Sequence, residues 1–568
     1  MSRRRGRAAT AAVLAAVLLA GCAPVAQNGD IVSLPAVVPA PASIEAGTGA
    51  PFRLTSATSV SGQVDAATAL TAIVTARTGL TPATADRAGG IELRIAASTG
   101  SGTGTAGSGT GTAGSDAGGA PESYRITVDE ASILVTGADA AGLYYGVQTL
   151  GQLLARDGED WIVPAVTIED APRFAYRGVM LDVARHFHGV DTVKGYIDRA
   201  SSLKFNALHL HLTDDQGWRI QLDSRPELTE KASASAIGGD ITEGAERSGG
   251  FYTKDDYRAI VEYAASHHMI VVPEIDMPGH THAVGLAYPE LAEDPVISDH
   301  MRQIVDEYGG ALPEPGVPFQ SLAVGFSSLK IHDEATYDLV ADVFGELAAM
   351  TPGPYLHFGG DESLATTDED FAYFVTRVSA IVADLGKTPM AWHEAGSAKD
   401  VADTTIGQYW GYVTPLDGFA QKAQTFVDNG AGLILSPADA IYLDMKYPPS
   451  TTDVAVPELG LTWANGPTSV EDAYSWEPAD VLPGVDDESI LGVEAPLWTE
   501  TIRTAADIDT MAFPRAAAAA EAGWSPRTGR SDLRTWESFR TRVGALGPLW
   551  TSMGIGFHPS EEIPWVTE

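Results

Sequence analysis

From Pro172 to its C-terminus the chain alternates short apolar runs with amphipathic stretches, and this alternation limits the possible folds more than any other feature. The apolar runs are Arg177 to Val183, Ala207 to Leu212, Ile270 to Ile275, Tyr355 to Phe358, Pro389 to Trp392, Ile406 to Trp410, Leu433 to Leu435 and Ile490 to Val493. Helical periodicity fills or follows the gaps, at Asp191 to Leu203, Lys254 to His268, Glu334 to Met350, Glu369 to Leu385 and Ala505 to Ala520. Strands that alternate with helices pair in parallel and are covered by those helices. Eight such units predict an α/β fold, a (β/α)8 barrel over 171–568, with its site at the C-terminal ends of the strands.

Upstream the pattern changes. Residues 42–170 carry alternating strands, among them Ile91 to Ile95, Tyr124 to Val128 and Ile133 to Val135, and one or two helices, with an amphipathic one from about Asp139 to Leu154. They predict a small α+β accessory domain. It is interrupted at 98–120 by Gly, Ser, Thr and Ala, which bury too little apolar area to order a chain, so a flexible loop is expected there. Residues 22–41 are rich in Ala, Pro and Val without period and read as a tether.

The first 21 residues read as a signal peptide: Arg3, Arg4, Arg5 and Arg7 precede an apolar run from Ala8 to Ala20, and Leu19-Ala20-Gly21-Cys22 forms a lipobox. The run is shorter than the roughly 20 residues that a spanning helix needs. Cys22 is the only cysteine, so no intramolecular disulfide can form, and lipidation is its expected use. The expected location is the outer face of a bacterial membrane, held by the lipid alone, or release outside the cell. A formal net charge of -39 repels phosphate backbones, which argues against a nucleic-acid partner. No cofactor is expected, and nothing fixes the oligomeric state.

The strand ends carry the chemistry. The fourth strand ends His357-Phe358-Gly359-Gly360-Asp361-Glu362, where two glycines permit a tight turn that delivers adjacent carboxyl groups. A neighbouring carboxylate raises the pKa of the other, as a general acid requires, and Glu362 is the candidate acid. The first strand leads into Asp182 and Arg185, the second into His209, His211, Asp214 and Trp218, and the third into Asp276 and His280. Trp392, Trp410, Tyr442, Asp444, Trp498 and Glu500 follow the fifth to eighth strands. Aromatic faces and charged hydrogen-bonding groups are what a sugar ring needs.

Six segments, RGVMLDVARHF, HLHLTDDQGWR, PEIDMPGH, HFGGDE, YLDMKY and EAPLWTE, occur in the order of glycoside hydrolase family 20, the β-N-acetylhexosaminidases, and the chain resembles that family over nearly its whole mature length. The resemblance implies an amino-sugar oligosaccharide or glycoconjugate as substrate. It implies Glu362 as acid/base, Asp361 as the group that orients the acetamide, and Tyr442 as donor to the acetamido carbonyl. Trp392, Trp410 and Trp498, with Trp463 as a fourth wall, would enclose the sugar, and Arg185, Asp444 and Glu500 would hold ring hydroxyls. Asp214 and His280 would form a charged relay beside Glu362, with Asp276 supporting His280. His393 and His282 depart from the family pattern, which has an acidic residue and an amide there.

Retaining glycosidases of the usual kind hold two carboxyls about 5 to 5.5 Å apart across the bond, a poor task for adjacent residues, so the nucleophile is expected to be the substrate's 2-acetamido oxygen. Three rivals carry different expectations. A two-carboxylate β-glycosidase would ignore the 2-substituent, and a sugar-capturing lipoprotein would tolerate loss of Glu362. A metallohydrolase would ligate a metal through His209 and His211, two residues apart on one strand face; satisfied imidazoles inside a barrel fit them better than a metal.

Overall fold

The computed structural model describes residues 34–85, 90–96, 119–238, 249–450 and 459–566. Eight parallel strands close into a barrel in chain order: Tyr176–Asp182, Ala207–His211, Ile270–Glu274, Tyr355–His357, Thr388–Trp392, Ile406–Tyr409, Leu433–Leu435 and Ile490–Ala495. The last pairs back onto the first, with Tyr176 opposite Gly492. Every residue of the first strand is buried, as expected where helices cover one face and layered side chains fill the other. The helix Val190–Ser202 shows how the wall is attached: its buried Val193, Tyr196, Ile197 and Ala200 fall on one stripe. Thr253 and Asp256 start the helix Lys254–Ser266 with a reciprocal capping box.

All eight expected strands form, and of the five expected barrel helices one is divided. The stretch Ala505 to Ala520 is two helices, Ala505–Ala512 and Arg515–Trp524, because Pro514 has no backbone N–H to continue the ladder.

The accessory domain is a seven-stranded mixed sheet ordered Ser43–Ala46, Val166–Asp170, Tyr124–Val128, Ile133–Gly137, Gly90–Ile95, Ser59–Gly62 and Ala83–Thr84. Helices Val64–Thr78 and Ala140–Gln152 contribute Leu70, Val74, Leu143 and Leu150 to its core. Asp139 proves to be the cap of the second helix, accepting from the N–H of Gly142. The expected loop at 98–120 falls almost wholly outside the described residues, as do Cys22 and the segment before it.

One expectation is corrected. The tether assigned to 22–41 does not extend to its end, because Val37, Val38 and Ala40 are buried. Val38 exchanges two hydrogen bonds with the amide of Gln152. The N–H of Ala40 donates to Glu521, its carbonyl accepts from Ser525, and Arg542 donates to the carbonyl of Val37. An aperiodic Pro-rich segment looks like a spacer because nothing local orders it, but side chains from both domains order this one.

The domains share a buried polar seam. Lys204 of the barrel donates to Asp170 at 3.1 Å and to the Tyr124 hydroxyl at 2.9 Å, and Trp524 inserts into the accessory core while donating its indole N–H to Asp170 at 3.0 Å. The accessory domain is therefore docked by specific charge pairing, which fixes the barrel's flank but stands apart from its mouth.

Candidate active site

The turn after the fourth strand is strained where the candidate acid sits. Gly359 and Gly360 have φ of 68° and 102°, and Glu362 itself has φ of 44°, a region that costs a non-glycine residue of order 1 kcal/mol or more. Gly359 is irreplaceable on contact grounds as well, since a Cβ there would lie 1.7 Å from Oδ1 of Asp276. That same oxygen accepts from the N–H of Gly360 at 2.9 Å. Asp276 thus braces the turn directly. No hydrogen bond joins it to His280, so its support for His280, expected from the resemblance, is limited to charge.

His280 is the second strained residue, with φ of 55°, and it faces the first. Its Nε2 lies 3.6 Å from Glu362 and 3.7 Å from Asp361, and its Nδ1 lies 3.2 Å from Oδ1 of Asp214. The other oxygen of Asp214 accepts from Arg185 at 2.8 Å and from His211 at 2.9 Å. Burial pushes the His280 pKa down, but Asp214, Asp276 and Asp361 outweigh it and hold the imidazole well above its ordinary range. Asp214 shows the converse: burial raises its pKa, and Arg185 and His280 pull it far below the usual carboxylate range. The proton of Glu362 is tuned between these charges. Enclosure in the mouth raises its pKa to about 7, with Asp361 reinforcing and His280 opposing.

Beside the carboxyl pair stands an aromatic cup. Trp392 and Trp498 lie 5.9 Å apart between ring centroids, Tyr442 lies 6.2 Å from Trp498, and Trp463 meets Tyr442 at 5.8 Å and Trp410 at 6.0 Å. Trp392 is fully buried whereas Trp463 is 44% exposed, which makes the former floor and the latter rim. Burial raises the Tyr442 pKa well above its ordinary value, so its hydroxyl remains a donor. Three buried carboxylate oxygens of the cup have no hydrogen-bond partner among the described residues: Oδ1 of Asp361, Oδ2 of Asp444 and Oε2 of Glu500. Arg185, expected at a ring hydroxyl, is bonded through Nη2 to Asp214 and lies 4.9 Å over the Trp498 ring.

The model of glycosyl hydrolase family 20, catalytic domain, matches residues 174–527, and that of the family's domain 2 matches residues 34–171. The chain belongs to glycosyl hydrolase family 20. It is thereby a glycoside hydrolase, and its relatives agree. A β-N-acetylhexosaminidase of Cellulomonas fimi is 40% identical over 78% of this chain and 82% of its own length. A solved family 20 β-N-acetylglucosaminidase is 66% identical, covers 94% of this chain and all of its own, and has a TM-score of 0.81. A variant of the Streptomyces plicatus β-hexosaminidase, solved in complex with the product GlcNAc, is 42% identical with a TM-score of 0.78, covering 93% of this chain and 97% of its own.

In this family 20 chain the two departures from pattern are packing residues. His393 is fully buried, held neutral by burial with a pKa of about 3, and wedged among Tyr409, Trp410 and Phe419. His282 meets the carbonyl of Val317 at 2.8 Å and packs on Phe326. Sequence reasoning assigned no role to Glu394 or Glu274, both of which anchor cup tryptophans. Glu394 accepts the Trp410 indole N–H at 3.0 Å, and Glu274 accepts that of Trp392 at 2.8 Å. The only signal in the sequence was their position at or just after a strand end.

Ligand atoms of His209, Glu274 and His357 come within 4.8 Å of one another, a spacing that a metal could use. The protons argue otherwise. His209 lies between Glu494 at 2.8 Å and Glu274 at 3.1 Å, and these carboxylates overcome burial to raise its pKa to about 10. Both of its ring nitrogens thus already face carboxylates of the protein. His357 uses its Nδ1 to accept from the N–H of Gly359.

Proposed function

We propose that the chain is a retaining exo-β-N-acetylhexosaminidase that releases terminal β-linked GlcNAc or GalNAc, using the substrate's acetamido oxygen as nucleophile. One observation carries the reading. Three buried, unpartnered carboxylate oxygens line an aromatic cup beside a carboxyl whose pKa is raised to about 7. Leaving a buried polar group unpaired costs about 1–3 kcal/mol, and an N-acetylated sugar brings both the hydroxyls and the amide N–H to satisfy them. The naming of the Cellulomonas fimi relative and the GlcNAc complex of the Streptomyces plicatus variant support the same substrate class.

In this mechanism Glu362 protonates the leaving oxygen while the acetamido oxygen attacks the anomeric carbon, giving a cyclic oxazolinium ion. The bond to the leaving group breaks as the new C–O bond forms. Asp361 accepts the acetamide N–H and opposes the charge on that nitrogen, and Tyr442 donates to the acetamido oxygen, so both act on charge that develops in the transition state. Glu362, now a carboxylate, takes a proton from water as the water opens the ring, and configuration is retained. Asp361 and Glu362 converge on one imidazole nitrogen from a single strand end. That arrangement suits division of labour better than attack from opposite faces.

The test is the anomer formed first. Proton NMR of an aryl N-acetyl-β-glucosaminide digest is expected to show the β-hemiacetal before mutarotation. First appearance of the α-anomer, or equal rates on the plain β-glucoside, overturns the mechanism, and no turnover at all favours a sugar-capturing role. From the N-terminal sequence we also propose that a lipid on Cys22 holds the enzyme outside the cell. Intact mass of membrane-extracted protein is expected to include a diacylglyceryl group, lost in Cys22→Ala.

A further inference from the structure

Behind the cup lies a buried charge network that the mechanism above does not use. Glu274, at the end of the third barrel strand, is fully buried and touches four side chains. Oε1 accepts from the indole N–H of Trp392 at 2.8 Å and lies 3.1 Å from Nδ1 of His357. Oε2 pairs with Nδ1 of His211 at 2.5 Å and with Nε2 of His209 at 3.1 Å. His211 then carries the line outward: its Nε2 donates to Asp214, which meets His280, which faces Glu362. With a carboxylate on each ring nitrogen, His211 is a donor on both sides, an imidazolium. Resting on the proposed hexosaminidase reading, we infer that Glu274 is a positioning residue of the reaction, whose one carboxylate fixes the floor of the acetamide cup through Trp392 and the charge state of the acid's relay through His211.

The geometry separates its two duties. Glu274→Gln retains a carbonyl oxygen for Trp392 but turns an NH2 toward His211, which must then accept at Nδ1 and keeps only its Nε2 proton. Asp214 keeps Arg185 but loses the positive charge of His211, while the negative charge lost at Glu274 lies one imidazole farther back. Asp214 is left more strongly negative toward the mouth, and the protonated form of Glu362 is favoured. The charged and titratable groups that face Glu274 are His209 and His211 on the second strand, His357 on the fourth, and Asp276 two residues on; Glu494 on the eighth strand reaches it through His209. Only His211 among them links it to Asp214. Trp392→Phe cuts the other duty, removing the donor to Oε1 and leaving the His211 pair intact.

Steady-state kinetics of the full chain on an aryl N-acetyl-β-glucosaminide, from pH 4 to 9, test the split. For Glu274→Gln a kcat at least tenfold lower is expected, KM within about twofold of wild type, and a basic limb of kcat/KM moved to higher pH by several tenths of a unit. For Trp392→Phe a raised KM with an unmoved limb is expected. His211→Gln, which removes the imidazolium while leaving Glu274 in place, is expected to move the limb in the same direction as Glu274→Gln. A folded Glu274→Gln or His211→Gln with the wild-type kcat and limb overturns the inference, because a merely structural role lowers the melting temperature without moving a titration. Should neither variant fold, a neutron structure of the wild type at pH 7.5 decides: deuterons on both ring nitrogens of His211 support the inference and a single deuteron overturns it. Wild-type inactivity on the N-acetyl substrate would instead refute the hexosaminidase reading.

Discussion

On the proposed mechanism, the pKa of about 7 at Glu362 is expected to set the upper pH limit of catalysis. In that mechanism Glu362 carries its proton to the leaving oxygen, so the rate on poor leaving groups is expected to follow its protonated fraction. With a pKa of 7 that fraction is about one half at pH 7, about 9% at pH 8 and about 1% at pH 9. At the ordinary carboxyl value of 4.5 the fraction at pH 8 would be roughly 300-fold smaller than the mouth provides. A pH profile of kcat/KM, which reports the free enzyme, is expected to bend downward near pH 7 and then fall tenfold per unit. Two substitutions give the signs. Asp361→Asn removes a neighbouring charge that raises the Glu362 pKa, so the limb moves down; His280→Asn removes a cation that lowers it, so the limb moves up. Residual activity suffices for the measurement, since only the position of the limb is read. A limb below pH 5.5, or movement of both variants in the same direction, refutes the electrostatic account.

The raised pKa also has a stability consequence. The stability associated with Glu362 is fully present below about pH 4.5 and lost as pH rises through about 7, so Glu362→Gln should melt higher than wild type at pH 8 and equally at pH 4.5. The full shift corresponds to about 3 kcal/mol, which a side chain 35% exposed reduces to about 1 kcal/mol. Gly359→Ala, placing a methyl against Asp276, is expected to abolish activity and lower the melting temperature, measurable by turnover and scanning calorimetry in one preparation. At the domain seam Lys204→Met strands the buried Asp170 beside an apolar chain and should cost about 3 kcal/mol in urea unfolding, with KM unchanged. Arg542→Ala breaks both hydrogen bonds to Glu521 and the one to the Val37 carbonyl, and limited proteolysis is expected to cleave first near residues 37–41.

What was legible in the sequence follows the range of the interactions involved. The eight strands and the long barrel helices come from periodicity within single segments, and they were readable for that reason. Pro514 shows the limit: the alanine-rich run around it carries a continuous helical pattern, and one missing N–H divides it. The segment 37–41 shows another, since its order comes from Gln152, Glu521, Ser525 and Arg542, all more than 100 residues away. The mouth residues were findable because a barrel sends strand ends to one place. Their partners were not, because which carboxylate meets which imidazole depends on the register between strands. Glu274 and Asp276 differ by two positions, yet one anchors a tryptophan and a histidine while the other braces the glycine turn.

Buried atoms without partners do not mark a site by themselves. Arg534 has three such nitrogens, yet its guanidinium lies over the ring of Tyr474 beside the Arg542–Glu521 pair, with ordinary backbone around it. At the mouth three independent departures coincide. Glu362 and His280 both adopt left-handed backbone, their side chains face each other, and the unpartnered atoms of Asp361, Asp444 and Glu500 share the cup with them. Strain of this kind persists only where surrounding contacts over-determine it, and here the Asp276 bond to Gly360 and the Asp214 contact to His280 do so. The same contacts that hold the backbone in its costly form also set the charges around Glu362. Relaxing the turn would therefore detune the acid, which is why the strain and the shifted proton occur at one residue.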